Sequence, residues 1–294
     1  MSPSVWAVYA LLALSTAAVW VPRLRVCRVM IAPWAPAYAL AIGAALAIGV
    51  LRPVGALALG IVLGLAVFVS RRTRTPRALN GATPLVLGLL MLPFALHVVP
   101  GFNNPKLLDA VRVSAAGPPF TQFLNFDKGS AGLILLAFLA PLASTSQQWR
   151  AASRTALVLG VPTVVLTAAV GLLIGHFALD LKVPPQVAGL LLAQLFFICA
   201  AEEAFFRGFV QERLHRAFAS SPAVLAALAP MAIATALFAA VHAAGGWQLV
   251  LLATLSGTGA ALAYARTRTV EAPILIHFGV NATHLFTLTY PYQL

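Results

Sequence analysis

Long apolar runs follow one another along almost the whole chain, with short polar segments between them. A helix needs about 20 apolar residues to cross a bilayer, and several of the runs are shorter or contain proline. The pattern predicts an all-α, polytopic transmembrane helical bundle of about ten spans, with eight as the lower bound. The runs lie at 5–21, 34–51, 54–70, 83–99, 131–144, 156–178, 187–206, 222–244, 247–265 and 270–290.

The composition supports a membrane protein. Apolar residues make up 61% of the chain and charged residues only 9%, whereas a soluble domain carries about 25% charged residues. A net charge of +12 would suggest nucleic-acid binding in a soluble protein. Here the basic residues lie in short clusters between apolar runs, as membrane topology requires. We therefore expect the lipid bilayer as a partner and no nucleic acid.

The basic residues are concentrated in alternate loops, which predicts an orientation. The other set of loops holds only five, of which three lie in one long polar loop at 100–130. The positive-inside rule places the richer set in the cytoplasm and both termini outside. The Ala-, Leu- and Arg-rich composition favours a bacterial inner (plasma) membrane. The richer set is Arg23, Arg25, Arg28, Arg71, Arg72, Arg74, Arg77, Arg150, Arg154, Arg207, Arg213, Arg216, Arg266 and Arg268.

Two adjacent glutamates end one of the apolar runs. Glu202 and Glu203 are the first of only four glutamates in the chain. A charge at mid-helix in a bilayer costs about 2.5–3.5 kcal/mol on insertion scales, so it needs a reason. Glu203 precedes Arg207 by four residues, the favourable order for an ion pair on a helix, and this pair would leave Glu202 for chemistry. Alternatively, both glutamates only mark the cytoplasmic end of a span.

Further polar residues interrupt the last apolar runs. His242 lies late in a predicted apolar helix, while His277, Asn281 and His284 have spacings of four and seven that place them on one helical face. A lone histidine in a span usually packs, but the conjunction with the glutamates between 202 and 284 indicates a functional site. The remaining histidines are interpreted as structural or interfacial: His97, His176 and His215.

These residues form three motifs in order. They are Glu202-Glu203-Ala-Phe-Phe-Arg207, Phe238-Ala-Ala-Val-His242 and His277-Phe-Gly-Val-Asn281. Together, and in apolar helices, they resemble the CPBP family of intramembrane glutamic-type proteases (CAAX protease and bacteriocin-processing, or Abi). The resemblance covers about residues 187–290 and leaves the first half of the chain without a matching motif.

The resemblance implies a membrane-embedded endopeptidase, similar to CAAX prenyl endopeptidases. Glu202 would be the general base that activates a water, His242 would hold or polarise that water, and His277 and Asn281 would stabilise the oxyanion. Glu203 and Arg207 would support the first motif. The substrate would be a membrane-anchored or exported peptide or protein, such as a C-terminal sorting signal or a CAAX-like tail. Peptide hydrolysis needs both an activated water and donors for the oxyanion.

The motif residues also include possible metal ligands. The chain has no H-E-x-x-H helix, but Glu202, His242 and His277 could form a three-ligand zinc site with an open position. Zinc is therefore left open and no cofactor is firmly predicted, while His284 is expected to pack.

The positions of the motifs also predict a domain organisation. Residues 1–186 are predicted to be N-terminal transmembrane helices, a subfamily extension plus the start of the core, and 187–294 the catalytic transmembrane core.

Two other classes of protein remain as alternatives. A proton-coupled transporter also uses intramembrane glutamates and histidines, although the sequence shows no paired halves. A catalytically inactive scaffold or immunity protein could share the fold. A transporter would leave peptides uncut and respond to a pH gradient, whereas a scaffold would tolerate Glu202→Gln.

Overall fold

Helices dominate the computed structural model, which describes residues 1–27, 29–72 and 82–293. The helices are α1 (Pro3–Ala17), α2 (Trp34–Ala47), α3 (Pro53–Arg72), α4 (Ala82–Leu89), α5 (Leu92–Ala95), α6 (Phe126–Phe138), α7 (Ser146–Leu173), α8 (Val187–Leu192), α9 (Ala200–Glu203), α10 (Glu212–Ala217), α11 (Ala223–Ala240), α12 (Gly246–Thr267) and α13 (Glu271–Thr287). The strands, in two two-stranded sheets, are β1 (Leu24–Val26) with β2 (Val29–Ile31) and β3 (Lys106–Val111) with β4 (Phe120–Phe123).

Each of the predicted apolar runs carries a helix, so the helical class is confirmed. In the described part of the chain, six helical segments are long and apolar enough to cross a membrane. The other apolar helices are shorter, so the predicted count of about ten spans is not confirmed. The six segments are Pro3–Trp20, Pro53–Ser70, Ser146–Leu173, Val187–Ala217, Ala223–Ala240 and Ala243–Thr267.

The segment predicted as a polar loop at 100–130 is more ordered than expected. It contains β3 and β4, and α6 already begins at Phe126. The Asn104 side-chain oxygen accepts from the Phe126 amide at 2.9 Å, and Asp127 in the first turn suits a helix N-terminus. Lys128 therefore lies in a helix instead of a loop. Three residues used for the orientation, Arg28, Arg74 and Arg77, lie outside the described residues, and the orientation stays a prediction.

The described residues form two compact units. The first comprises Met1–Leu107, Phe123–Ala140 and Phe196–Phe205, and the second comprises Leu108–Gln122, Pro141–Leu195 and Phe206–Leu294. The predicted division into 1–186 and 187–294 concerns where the motifs lie, and it stays a prediction.

Small residues set the packing in the first unit. A Cβ built on Gly132 of α6 would lie 2.6 Å from the Cβ of Ala201, and one on Gly129 would lie 2.9 Å from the Phe197 ring. The hydroxyl of Tyr9 in α1 donates to the Leu124 carbonyl at 2.7 Å, just before α6. Helix α6 is thus seated closely against the segment that carries Glu202.

In the second unit, α7 packs against α12 and α13. A Cβ on Gly160 of α7 would lie 3.2 Å from Ile276 of α13, and one on Gly259 of α12 would overlap the side chain of Thr163 of α7. Close approach through small residues is the usual basis of helix association in membranes. This packing fixes α13, which carries the third motif.

The helical segment Val187–Ala217 has an unusual backbone. Two π-helical stretches, Ala193–Cys199 and Ala204–Gln211, flank the four α-helical residues of α9. π-Helical turns are rare, are usually single and are frequent at functional sites. The apolar period did not indicate them, because a wider turn leaves no signature in residue type.

Candidate active site

Glu202 lies in α9, in the first unit, and forms an ion pair that the sequence did not predict. Its Oε1 accepts from Lys128 Nζ at 2.6 Å, and the two side chains are only 16% and 17% exposed. Charge-assisted hydrogen bonds of this kind are short and strong. The carboxylate proposed as the base is therefore held by an ammonium group from α6.

Glu203 has a different environment from its neighbour. Its side chain is fully buried, whereas Glu202 is partly exposed. Adjacent helical residues point about 100° apart, which explains the difference. Glu203 belongs to the first unit and Arg207 to the second, and their predicted ion pair stays a prediction.

Arg207, in the second unit, is completely buried. Its Nη2 donates to the Gly257 carbonyl of α12 at 2.9 Å, and its Cζ lies 4.6 Å from the ring centroid of Phe238. Gly257 leaves no room for a side chain, since a Cβ there would lie 2.9 Å from the Phe238 ring. A desolvated guanidinium over an aromatic face is a favourable arrangement.

The Phe238 ring also contacts the two motif histidines. Its centroid lies 4.8 Å from that of His242 and 5.5 Å from that of His277, to which it is perpendicular. One aromatic side chain therefore touches a residue from each of the three motifs, namely Arg207, His242 and His277. In the sequence, this phenylalanine is marked only by its place in the second motif.

The prediction that His242 lies within an apolar helix is wrong. Helix α11 ends at Ala240, and His242 precedes a short 3₁₀ turn, Ala243–Gly245. The chain leaves the helix here because two glycines follow, and Gly246 has a φ of +87°. His242 Nδ1 lies 2.8 Å from the Phe238 carbonyl. Since a carbonyl only accepts, Nδ1 carries the hydrogen and a neutral ring has Nε2 as an acceptor.

The predicted shared face of α13 is confirmed, because His277, Asn281 and His284 line the same cavity. His277 is only 6% exposed, and Asn281 Nδ2 donates to Gln194 Oε1 at 2.9 Å. His284 packs on Phe177 with ring centroids 4.3 Å apart, in accord with the expected packing role.

The cavity has a volume of about 90 Å³, enough for a few water molecules, and His242 and Ser256 contribute to its wall. Apolar side chains such as Phe177, Leu249 and Leu252 form most of the rest. The second unit therefore contains a small, partly open space in which imidazole, amide and hydroxyl groups converge within an apolar surround.

The other histidines have ordinary surroundings. His176 stacks on Tyr292 at a centroid distance of 5.8 Å, and burial lowers the pKa of its imidazole. His97 Nδ1 lies 2.8 Å from Asp127 Oδ2. His215 Nε2 lies 3.4 Å from Gln211 Nε2.

A zinc site does not fit the described side chains. Within the described ranges, no group of three or more His, Cys, Asp or Glu side chains is placed to hold a metal ion. We therefore derive no step through a metal, and zinc binding by Glu202, His242 and His277, which the sequence left open, stays open.

Comparison with known proteins finds one family model that matches the region carrying these residues. Residues 184–283 match the family model described as Type II CAAX prenyl endopeptidase Rce1-like, and the matched region contains all three motifs. No curated protein and no solved structure matches the chain. The apolar helices and the match to a membrane protease family support an integral membrane protein. The resemblance to the CPBP (CAAX protease) family is thereby confirmed over residues 184–283, which hold Glu202, His242 and His277.

Proposed function

We propose that the protein is an intramembrane endopeptidase that hydrolyses a peptide bond of a membrane-anchored or exported peptide or protein. The observation that carries this proposal is the cavity lined by His242, His277 and Asn281 in the region matched by the protease family. The largely apolar walls of this cavity lower the local dielectric, so that fixed dipoles act more strongly there than they do in water.

Each polar residue of the motifs has a role in this proposal. Glu202 takes a proton from the attacking water, and the Nε2 acceptor of His242 holds that water by a hydrogen bond. His277 and Asn281 donate to the oxyanion. An amide nitrogen has two hydrogens, so Asn281 can donate one to Gln194 and the other to the reacting carbonyl oxygen.

The wider setting belongs to the same proposal. Residues 187–294 form the catalytic core, and residues 1–186 form N-terminal transmembrane helices, a subfamily extension plus the start of the core. The protein lies in a bacterial inner membrane with both termini outside. C-terminal sorting signals and CAAX-like tails are suitable substrates, since both place a peptide bond at the membrane.

A cleavage assay tests this function. Wild type and Glu202→Gln are reconstituted in lipid vesicles with a library of single-span, C-terminally anchored peptides, and the products are identified by mass spectrometry. Wild type should cut at least one peptide, and Glu202→Gln should cut it about 10²–10⁴-fold more slowly, the usual contribution of a general base. Thermal unfolding of both proteins shows whether the variant is folded.

The remaining outcomes separate the alternatives. Equal cleavage by the two proteins removes Glu202 from the chemistry. If wild type cuts nothing but takes up solute when a pH gradient is applied, a proton-coupled transporter replaces the protease. If neither activity is found, the result favours a scaffold or immunity protein. A parallel reaction with a zinc chelator decides whether a metal takes part.

A further inference from the structure

We infer that Lys128 is a positioning residue for Glu202, and that the N-terminal half of the chain supplies it. This inference rests on the proposed role of Glu202 as the base. Lys128 lies in the first turn of α6, 74 residues before the glutamate, and its Nζ donates to Glu202 Oε1 at 2.6 Å. No motif of the matched region contains it, since the match begins at residue 184.

A hydrogen-bonded frame fixes the start of α6. Asp127 is 1% exposed and its carboxylate accepts from the Asn104 amide at 3.0 Å and from the Lys128 backbone amide at 2.8 Å. Its other oxygen lies 2.8 Å from Nδ1 of His97. The Asn104 oxygen in turn accepts from the Phe126 amide. The backbone amide of Lys128 is therefore held by Asp127, a carboxylate that is itself held in place by its neighbours.

Helix packing sets the distance between the two charged groups. Gly132 lies one turn after Lys128 on α6 and Ala201 lies next to Glu202, and a Cβ on Gly132 would be 2.6 Å from the Ala201 Cβ. The two backbones can approach this closely only with glycine at 132. A lysine one turn away on the same face then reaches the carboxylate.

The pair has a clear electrostatic consequence. An isolated carboxylate in an apolar surround is costly, and an ammonium group in contact offsets part of that cost. Because Lys128 holds Oε1, the Glu202 carboxylate keeps a constant direction relative to the attacking water. A general base acts well only when such geometry is maintained, and a misplacement of about 1 Å can cost about 100-fold in rate.

Zero-length cross-linking tests the pair without any need for activity. A membrane-permeant carbodiimide adds to the Glu202 carboxyl to form an O-acylisourea. The Lys128 amine then attacks the acyl carbon to form an amide, and the carbodiimide leaves as its urea with one carboxyl oxygen. In the full chain in lipid nanodiscs, mass spectrometry should detect the Lys128–Glu202 cross-link in wild type and in Lys106→Met. It should be absent from Glu202→Gln. Its absence from wild type overturns the inference.

Kinetics with the peptide that wild type cuts test the positioning role. Lys128→Met should lower kcat about 100-fold. It should leave KM within about twofold, because Lys128 acts on Glu202 and not on the binding of the peptide in its ground state. Lys128→Arg keeps the positive charge and should recover part of the lost kcat. Lys106→Met is the matched control, since Lys106 is an exposed lysine of the same unit, and it should retain wild-type kcat.

The outcomes distinguish this inference from the proposed function. Full kcat in Lys128→Met overturns the positioning role, even if the Lys128–Glu202 cross-link forms in wild type. If Lys128→Met is unfolded, Lys128→Arg decides: a kcat as low as that of Glu202→Gln, in a folded protein, also overturns the role of the charge. A cross-linked wild type that cuts nothing overturns the proposed function, and the catalytic role of Lys128 falls with it.

Discussion

The guanidinium carbon of Arg207 lies 4.6 Å from the ring centroid of Phe238. The same ring contacts the imidazoles of His242 and His277. Motif residues from three separate segments of the chain thus converge on one phenylalanine. Because aromatic rings do not adapt their shape, a change in this ring should alter both the packing and the direction of the histidines.

Shortening the ring at position 238 tests this arrangement. Phe238→Leu should lower the free energy of unfolding by about 1–3 kcal/mol, since it opens a cavity and removes the aromatic face under Arg207. Thermal unfolding in detergent and peptide cleavage provide the two readouts. Phe68→Leu, at a residue 46% exposed on α3, is the control. Equal effects of the two substitutions would contradict the role of the Phe238 ring.

Arginine itself, and not only its charge, should be required at position 207. Lysine keeps the charge but cannot stack a planar group on Phe238 while it donates to the Gly257 carbonyl. Arg207→Lys should therefore cost about 1.5–3 kcal/mol of stability, the usual range for a hydrogen bond from a charged group. The control is Arg266→Lys, at an exposed arginine, which should unfold like wild type. A wild-type unfolding temperature for Arg207→Lys would refute this prediction.

The close approach at Gly257 should be sensitive to a single methyl group. A Cβ there would lie 2.9 Å from the Phe238 ring and 3.3 Å from Arg207 Nη2. Gly257→Ala should therefore cost about 1–3 kcal/mol by overpacking and reduce cleavage. Gly64→Ala in α3 has nothing within 4 Å of the new Cβ, so it should be neutral or gain up to about 1 kcal/mol of helix propensity. An equally tolerated Gly257→Ala would show that α11 and α12 can separate.

Acid should weaken the contacts of the Asp180 carboxylate with Ser114 and Lys182, which lie before α8 in the chain or in the loop that leads to it. A hydrogen bond from the Ser114 hydroxyl, and then the contact with Lys182, hold the pKa of Asp180 below its ordinary value of 3.8. The folded state binds this proton less tightly, so the contribution is present above pH 3.8 and is lost as the pH falls through the lower folded value. Asp180→Asn should therefore unfold at a lower temperature than wild type at pH 7, and the difference should narrow below about pH 4.

The control for this pH dependence is Asp109→Asn, at an exposed carboxylate. The unfolding temperature of Asp109→Asn should follow that of wild type both at pH 7 and at pH 3. A constant difference between wild type and Asp180→Asn from pH 7 to pH 3 would disprove the assigned cause.

Much of the local structure could be predicted from the sequence. In a bilayer the backbone must satisfy its own hydrogen bonds, so each apolar run had to form a helix, and each carries one. The spacing of His277, Asn281 and His284 placed them on one face of α13, and all three line the cavity. The apolar pattern predicts a helix that continues to Gly245 and Gly246 and so contains His242, whereas the helix ends earlier, at Ala240.

The sequence by itself determined the class of protein and the residues of its motifs, because helix period and charge cost act locally along the chain. Only the tertiary structure decided that Lys128 contacts Glu202, which lies 74 residues away, and that Phe238 is shared by Arg207 and two histidines. The physical reason is that an apolar helix in lipid has no hydrophobic preference for one neighbour over another. Which helices meet depends on small residues such as Gly132 and Gly257, whose fit to the opposing surface exists only once the chain has folded.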